Sequence, residues 1–237
     1  MNLDYLLRGM TIFMLIIVRV YWYRAKYKSN LEKHKTKNKS LTFEKIGIFI
    51  GAFVTGINLL GFTLFTFENT AIQVFGFTLV IIGSIEAVLG RLALGSNWTE
   101  SYEYQIKAKH ELIVYGIYKY VRHPIYGGLM LAVTGAFVVA KTYLFIPVFL
   151  LQLILMAKFA KREEKLLCNY FGEEYVVYMQ KTKMLFPHLE DGFGSYGRRI
   201  FWVKARRLKI SFPSENGPIG KNKRRKIINI PIEPRER

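Results

Sequence analysis

Between His110 and Tyr126 the chain reads HELIVYGIYKYVRHPIY, a dense run of titratable and aromatic residues in a sequence otherwise dominated by apolar stretches. Its centre, Arg122-His123-Pro124, joins a permanent cation to an imidazole that titrates near neutral pH and to a proline that fixes the backbone. Farther on, Glu163 and Glu164 stand side by side, followed by Phe171, Tyr175 and Tyr178. This set offers proton transfer at His123 or Glu164, ion pairing at Arg122 and Glu163, and stacking at Tyr118 and Tyr126. Zinc is the first competing reading, because two histidines and two glutamates are available. The spacing of His110 and His123 fits no compact ligand motif, and HExxH is absent, so no metal is expected.

A different demand suits these residues better. A ligand with a positive amine, an adenine ring and a carboxylate would find an anion in Glu163, aromatic faces in the tyrosines, and backbone amides around Pro124. S-adenosylmethionine has those parts, although residue chemistry alone does not single it out.

The elements that must position this set are apolar. Of 237 residues, 51% are hydrophobic, yet the formal net charge is +18. Both hold only because oily and basic residues occupy separate segments. A membrane-crossing helix needs about 20 apolar residues. Tyr5 to Tyr23 qualifies, with Arg8 and Arg19 near its ends where they can snorkel, and so does the uncharged run from Ile46 to Phe67. Ala71 to Leu94 is a third, carrying Glu86 and Arg91, either a structural pair or a substrate contact. Tyr126 to Ala157, broken at Lys141-Thr142, reads as a helical hairpin. The expectation is an all-α polytopic membrane protein of about five transmembrane helices with a cytosolic cofactor pocket.

Charge sets the topology. Arg24 to Lys39 is rich in lysine with the single acid Glu32, whereas the turn at Phe67 to Thr70 has no basic residue. The positive-inside rule puts the basic loop and His110 to Tyr126 in the cytoplasm and the N-terminus outside. Beside a membrane helix the basic run reads as a topology signal, and no nucleic-acid partner is expected. Lys158 to Gln180 reads as an amphipathic helix broken at Phe171-Gly172. Arg198 to Phe212 has the basic and aromatic mixture of a segment lying on an anionic leaflet. The expected organisation is 1–45 first helix and basic loop, 46–190 core, 191–237 basic tail. The lone Cys168 excludes an internal disulfide framework, and the first run lacks the cleavage pattern of a signal peptide. No repeat, P-loop or GxGxxG is present, and nothing indicates an oligomeric state.

The ordered pieces L-G-x-x-W at Leu94, Gly95 and Trp98, H-x-L-I-x-x-G-I-Y-x-x-x-R-H-P-x-Y from His110 to Tyr126, and E-E-x-x-L-x-x-x-F-G-x-x-Y-x-x-Y from Glu163 to Tyr178, ending at Leu185-Phe186-Pro187, resemble the isoprenylcysteine carboxyl methyltransferase family of integral membrane enzymes, in its prokaryotic-type form. The resemblance spans about Ile46 to Pro187. R-H-P-x-Y alone is less specific, being shared with phospholipid and other small membrane methyltransferases. It implies a cytosol-facing pocket for S-adenosylmethionine, released as S-adenosylhomocysteine, and a lipophilic or prenylated acceptor entering from the lipid bilayer. The cofactor contacts would fall on His110, Leu112, Ile113, Tyr118, His123, Pro124, Tyr126 and Glu163. The membrane would be the plasma membrane in a prokaryote and the endoplasmic reticulum in a eukaryote.

One departure concerns the acceptor. The family commonly places an arginine one turn before the first glutamate, implicated in handling the substrate carboxylate, and here that position is Phe159. Two acceptors follow. For a prenylcysteine carboxylate, which needs no base, Arg122 is the candidate cation; for a lipid amine, His123 or Glu164 would take the proton. A non-enzymatic membrane scaffold would explain the charge but leave the ordered motifs without purpose.

Overall fold

A computed structural model describes residues 2–30, 41–98 and 111–186. His110 and the tail from 187 onward lie outside the described residues. Six α-helices follow in order: α1 Leu3–Asn30, α2 Leu41–Leu59, α3 Thr70–Leu94, α4 Pro124–Val139, α5 Phe145–Phe171 and α6 Glu173–Lys181. Short 3-10 turns at Gly95–Asn97 and Gly116–Lys119 end α3 and precede α4.

The outward faces are oily. Phe13 and Ile17 on α1, Phe49 and Phe53 on α2, Phe75, Ile82 and Leu89 on α3, and Leu151 and Ile154 on α5 are all exposed. Many large apolar side chains turned outward on several helices suit hydrocarbon surroundings, where each helix satisfies its own backbone. Of the described helices, α3 is long and apolar enough by itself to cross a membrane, and Phe49–Leu59 and Pro124–Val139 are shorter apolar stretches.

The centre of the fold is the antiparallel pair α3 and α4. Gly76, Gly83 and Gly90 recur every seven residues, and Gly128 and Gly135 face them. A Cβ on Gly83 would lie 2.4 Å from the Gly128 carbonyl oxygen, and one on Gly128 would lie 2.5 Å from that of Gly83. The backbones therefore touch, which only small residues allow.

A polar staple closes the bundle at the far end of α4. Arg8 pairs with Asp4 at 3.1 Å and donates to the carbonyls of Asn58 at 3.1 Å and Ala140 at 3.0 Å. Gln73, fully buried, donates to Asp4 at 2.5 Å and to the Val139 carbonyl at 2.9 Å. Carbonyls that α4 leaves unpaired at its C-terminus are thus satisfied from α1 and α3.

Three expectations need correction. The run predicted to be helical to Phe67 leaves the helix after Leu59. Gly61 turns with φ +102°, and 64–67 pairs with the α4–α5 turn through Phe67 N–H to Lys141 O and Tyr143 N–H to Phe65 O, both 2.9 Å. The second hairpin helix and the amphipathic helix expected from Lys158 are one continuous α5. It does end where predicted, at Gly172, whose φ of +62° suits glycine. Glu86 and Arg91 form no pair, because a five-residue step on a helix turns the two side chains to different faces.

Candidate functional site

Pro124 occupies the first position of α4, where its missing N–H costs nothing, and His123 is the residue just before it. The loop leading in is strapped down by the segment after α6. Arg122 N–H donates to Lys183 O at 2.8 Å, His123 N–H to Met184 O at 3.0 Å, and Lys183 N–H to Tyr120 O at 3.3 Å. The backbone that carries the titratable groups is thereby fixed. The C-terminal half of α5 then passes alongside and presents Glu163 and Glu164.

These side chains form one connected cluster. Arg122 Nε donates to Glu164 Oε1 at 2.7 Å, and its Nη1 donates to the carbonyls of Met179 and Thr182. His123 Nε2 lies 3.4 Å from Glu164 Oε1 and its Nδ1 3.5 Å from Glu163 Oε2. Tyr126 donates its phenol O–H to Glu163 Oε2 at 2.9 Å, and its ring stacks on the His123 imidazole at 5.4 Å between centroids. Arg122, His123 and Glu164 are buried, whereas the Glu163 side chain keeps 40% of its surface exposed. Glu163 is therefore the carboxylate of the cluster that a ligand can reach.

Electrostatics fixes the protonation. Burial by itself would discharge His123, but hydrogen bonds and charge from Glu163 and Glu164 outweigh it and push the imidazole up to about 9. Burial would likewise raise both carboxyls, yet His123 beside them, with Tyr126 on Glu163 and Arg122 on Glu164, holds them below the ordinary value. At neutral pH the cluster holds two cations and two anions.

Of the other residues singled out in the sequence, Tyr118 and Ile113 are buried, and Leu112 packs on Tyr175, Tyr178 and Met179. Tyr178, which the motif included without a role, donates its O–H to the Tyr118 carbonyl at 2.7 Å and so joins α6 to the loop before α4. Burial pushes the Tyr118 phenol well above 10, with Glu163 and Tyr178 adding and Arg91 opposing. Phe159 packs in a cluster with Tyr126, Met130, Met184 and Leu185.

Arg91 turns away from Glu86, and its guanidinium lies on the Trp98 ring, 4.3 Å from the centroid. Glu86 lies beside the first turn of α4, where a Cβ on Gly127 would come within 3.2 Å of its Oε1. Asn97 Oδ1 accepts the Glu111 N–H at 3.0 Å, so the chain leaves at Trp98 and returns close by.

Residues 71–174 match the family model described as phospholipid methyltransferase. A probable protein-S-isoprenylcysteine O-methyltransferase of Oryza sativa subsp. indica is 33% identical over 118 residues, covering 48% of this chain and 61% of the relative. The protein-S-isoprenylcysteine O-methyltransferase of Tribolium castaneum is 28% identical over 118 residues, covering 48% of this chain and 41% of its own length. The chain thus spans less than two thirds of these relatives. A solved eukaryotic intramembrane Ras methyltransferase, isoprenylcysteine carboxyl methyltransferase, has the same fold. It superposes with a TM-score of 0.57 at 18% identity, covering 79% of this chain and 68% of that one.

Proposed function

We propose that this chain, a relative of the isoprenylcysteine carboxyl methyltransferases, uses S-adenosylmethionine to methylate the carboxylate of a prenylated cysteine that enters from the bilayer. The observation that carries the choice of acceptor is the protonation of the cluster. An imidazole raised to about 9 keeps its proton at neutral pH, and Glu164 is held low and tied to Arg122. Neither group is a competent base, which an ammonium acceptor would require and a carboxylate does not.

The residues fit the cofactor. Glu163, partly exposed and fixed by Tyr126, would hold the cationic amine, while the stacked His123 and Tyr126 rings and buried Tyr118 would supply aromatic surface for a purine. When bound there, S-adenosylmethionine supplies a methyl already activated as a sulfonium substituent. Arg122 acts as the brace that holds Glu164 and the 179–182 turn in register, and so positions His123 rather than touching the acceptor. Leu112, packed on Tyr175 and Tyr178, buried Ile113 and Pro124, together with His110 by its place in the sequence, are the further residues that would line the cofactor.

Topology follows from the antiparallel packing. The site end of α4 lies with the C-terminal ends of α1 and α3, since Gly90 faces Pro124 and Arg91 reaches the Ala25 carbonyl. The basic residues that begin at Arg24 lie at that end of α1 and continue in the sequence to Lys39, which by the positive-inside rule supports a cytoplasmic site and an outside N-terminus, with α1 to α5 as the five proposed spans.

Purified protein in detergent, given labelled S-adenosylmethionine, should form a base-labile methyl ester on a farnesylcysteine analogue and leave phosphatidylethanolamine unlabelled. Label on the phospholipid alone would overturn the acceptor.

A further inference from the structure

Arg91 is 5% exposed, in the last turn of α3. Besides stacking on Trp98, its guanidinium donates to the Gly95 carbonyl at 3.0 Å and, weakly, to that of Ala25 at 3.4 Å. Those bonds use two of five N–H donors, and Nε is buried with no partner. No carboxylate among the described residues pairs with it. Carbonyls at a helix C-terminus and an aromatic face make a cation tolerable, but they neither neutralise it nor employ the idle donors.

Its place ties it to the site. Gly90, the residue before it, approaches Pro124 and Ile125 at the start of α4, and α3 packs on the 116–119 turn. Tyr118 in that turn lies within electrostatic reach of both Arg91 and Glu163. The other arginine buried here, Arg122, is taken up by Glu164 and two carbonyls, and Phe159 supplies no charge. Among the described residues, then, Glu163 is an accessible anion and Arg91 a buried cation with no anionic partner.

We propose that Arg91 receives the carboxylate of a ligand bound at this site, an inference that rests on the methyltransferase reading. Two ligands of that reaction carry a carboxylate, the prenylcysteine acceptor and the amino-acid end of the cofactor. The planar guanidinium suits a two-point grip on either, and Trp98 holds it in one orientation.

The test uses full-length wild-type protein, Arg91→Gln and Arg91→Lys in detergent. Dissociation constants are measured for S-adenosylhomocysteine and its carboxamide, and for a farnesylcysteine analogue and its carboxamide as inhibitors. Wild type should hold one of the two acids about tenfold or more tighter than its amide. Arg91→Gln should abolish that preference and Arg91→Lys should keep part of it. A loss confined to the farnesylcysteine arm assigns the acceptor carboxylate; one confined to the other arm assigns the cofactor's.

Equal binding of acid and amide by wild type in both arms overturns the proposal, whether or not the variants fold. An Arg91→Gln protein that retains both preferences also overturns it and leaves Arg91 as a helix cap. A wild type that binds S-adenosylhomocysteine but methylates no prenylcysteine counts against the proposed acceptor, and the S-adenosylhomocysteine arm then decides on Arg91.

Discussion

Replacing Glu164 with glutamine removes the charge at the centre of the cluster while keeping its shape. Glu164 accepts Arg122 Nε at 2.7 Å and faces His123 Nε2 at 3.4 Å, with all three side chains buried. Breaking a buried pair by deleting one charge costs about 3–5 kcal/mol. The glutamine carbonyl recovers roughly 1–1.5 kcal/mol as a neutral hydrogen bond to Arg122. The expected loss is therefore about 1.5–4 kcal/mol, read as a shift in equilibrium unfolding in mixed micelles.

The pH dependence gives a second reading of the same cluster. His123 binds its proton more tightly folded, at about 9, than at the ordinary 6.5. Its contribution to stability is full below pH 6.5 and is lost as pH rises through 9, with an amplitude on the order of 3 kcal/mol. Glu163 and Glu164 are depressed from 4.5, so their contribution is present above that value and lost as pH falls. Wild type should be most stable between about pH 5 and 6.5 on these groups, then decline. Glu164→Gln should flatten the decline, since one of the two carboxylates facing His123 is gone. A variant within about 0.5 kcal/mol of wild type, with an unchanged alkaline slope, would refute the coupling.

Two further substitutions probe the frame. Gly128→Val drives a side chain into the Gly83 carbonyl and the Ala87 amide, 2.5 and 2.6 Å from the new Cβ, so α3 and α4 must part; a loss above about 3 kcal/mol or no monodisperse protein is expected, against little effect for Gly56→Ala in open space. Arg8→Met strips the staple of its donors to Asn58 and Ala140, which should cost about 2–3 kcal/mol while leaving S-adenosylhomocysteine affinity within about twofold, because the staple is a helix length from His123.

The helices were legible because side-chain hydropathy and the bilayer's thickness together dictate where apolar runs begin. The Gly172 break was legible for a similar reason, since glycine after an amphipathic run marks a helix end. What hydropathy does not encode is backbone pairing. Leu60 to Phe67 is as oily as a helix, yet it leaves the helix, because Gly61 turns and the α4–α5 turn offers its backbone partners.

At the site, motif order brought Tyr118, His123, Tyr126 and Glu163 into one candidate set, and the structure brings His123, Tyr126 and Glu163 into contact. The pairing of Arg122 with Glu164 depends on how α5 returns past α4, which no local pattern records. Helical phase could have separated Arg91 from Glu86, because a five-residue step turns about 140° around a helix. In the staple, the i,i+4 spacing of Asp4 and Arg8 is legible as a helical pair, whereas their meeting with Gln73 and the end of α4 depends on α1, α3 and α4 converging at one end.

The balance of charge connects these observations to the chemistry. Arg122, His123, Glu163 and Glu164 cancel one another, and the short hydrogen bonds from Arg122 to Glu164 and from Tyr126 to Glu163 hold the two carboxylates in place. In the reaction proposed above, a cluster with a net charge would stabilise one of two oppositely charged reactants more than the nearly neutral arrangement formed as a methyl passes from sulfonium to carboxylate, and so would raise the barrier. A neutral cluster avoids that penalty and leaves recognition to groups at its edges. Glu163, partly open, answers a cation on one side. By the same logic the anion needs a partner outside the cancelled set, the role proposed above for Arg91, a buried cation with no carboxylate partner among the described residues. Substituting Phe159, as the family pattern suggests, would instead disturb the packing of Tyr126, whose hydroxyl holds Glu163 in place.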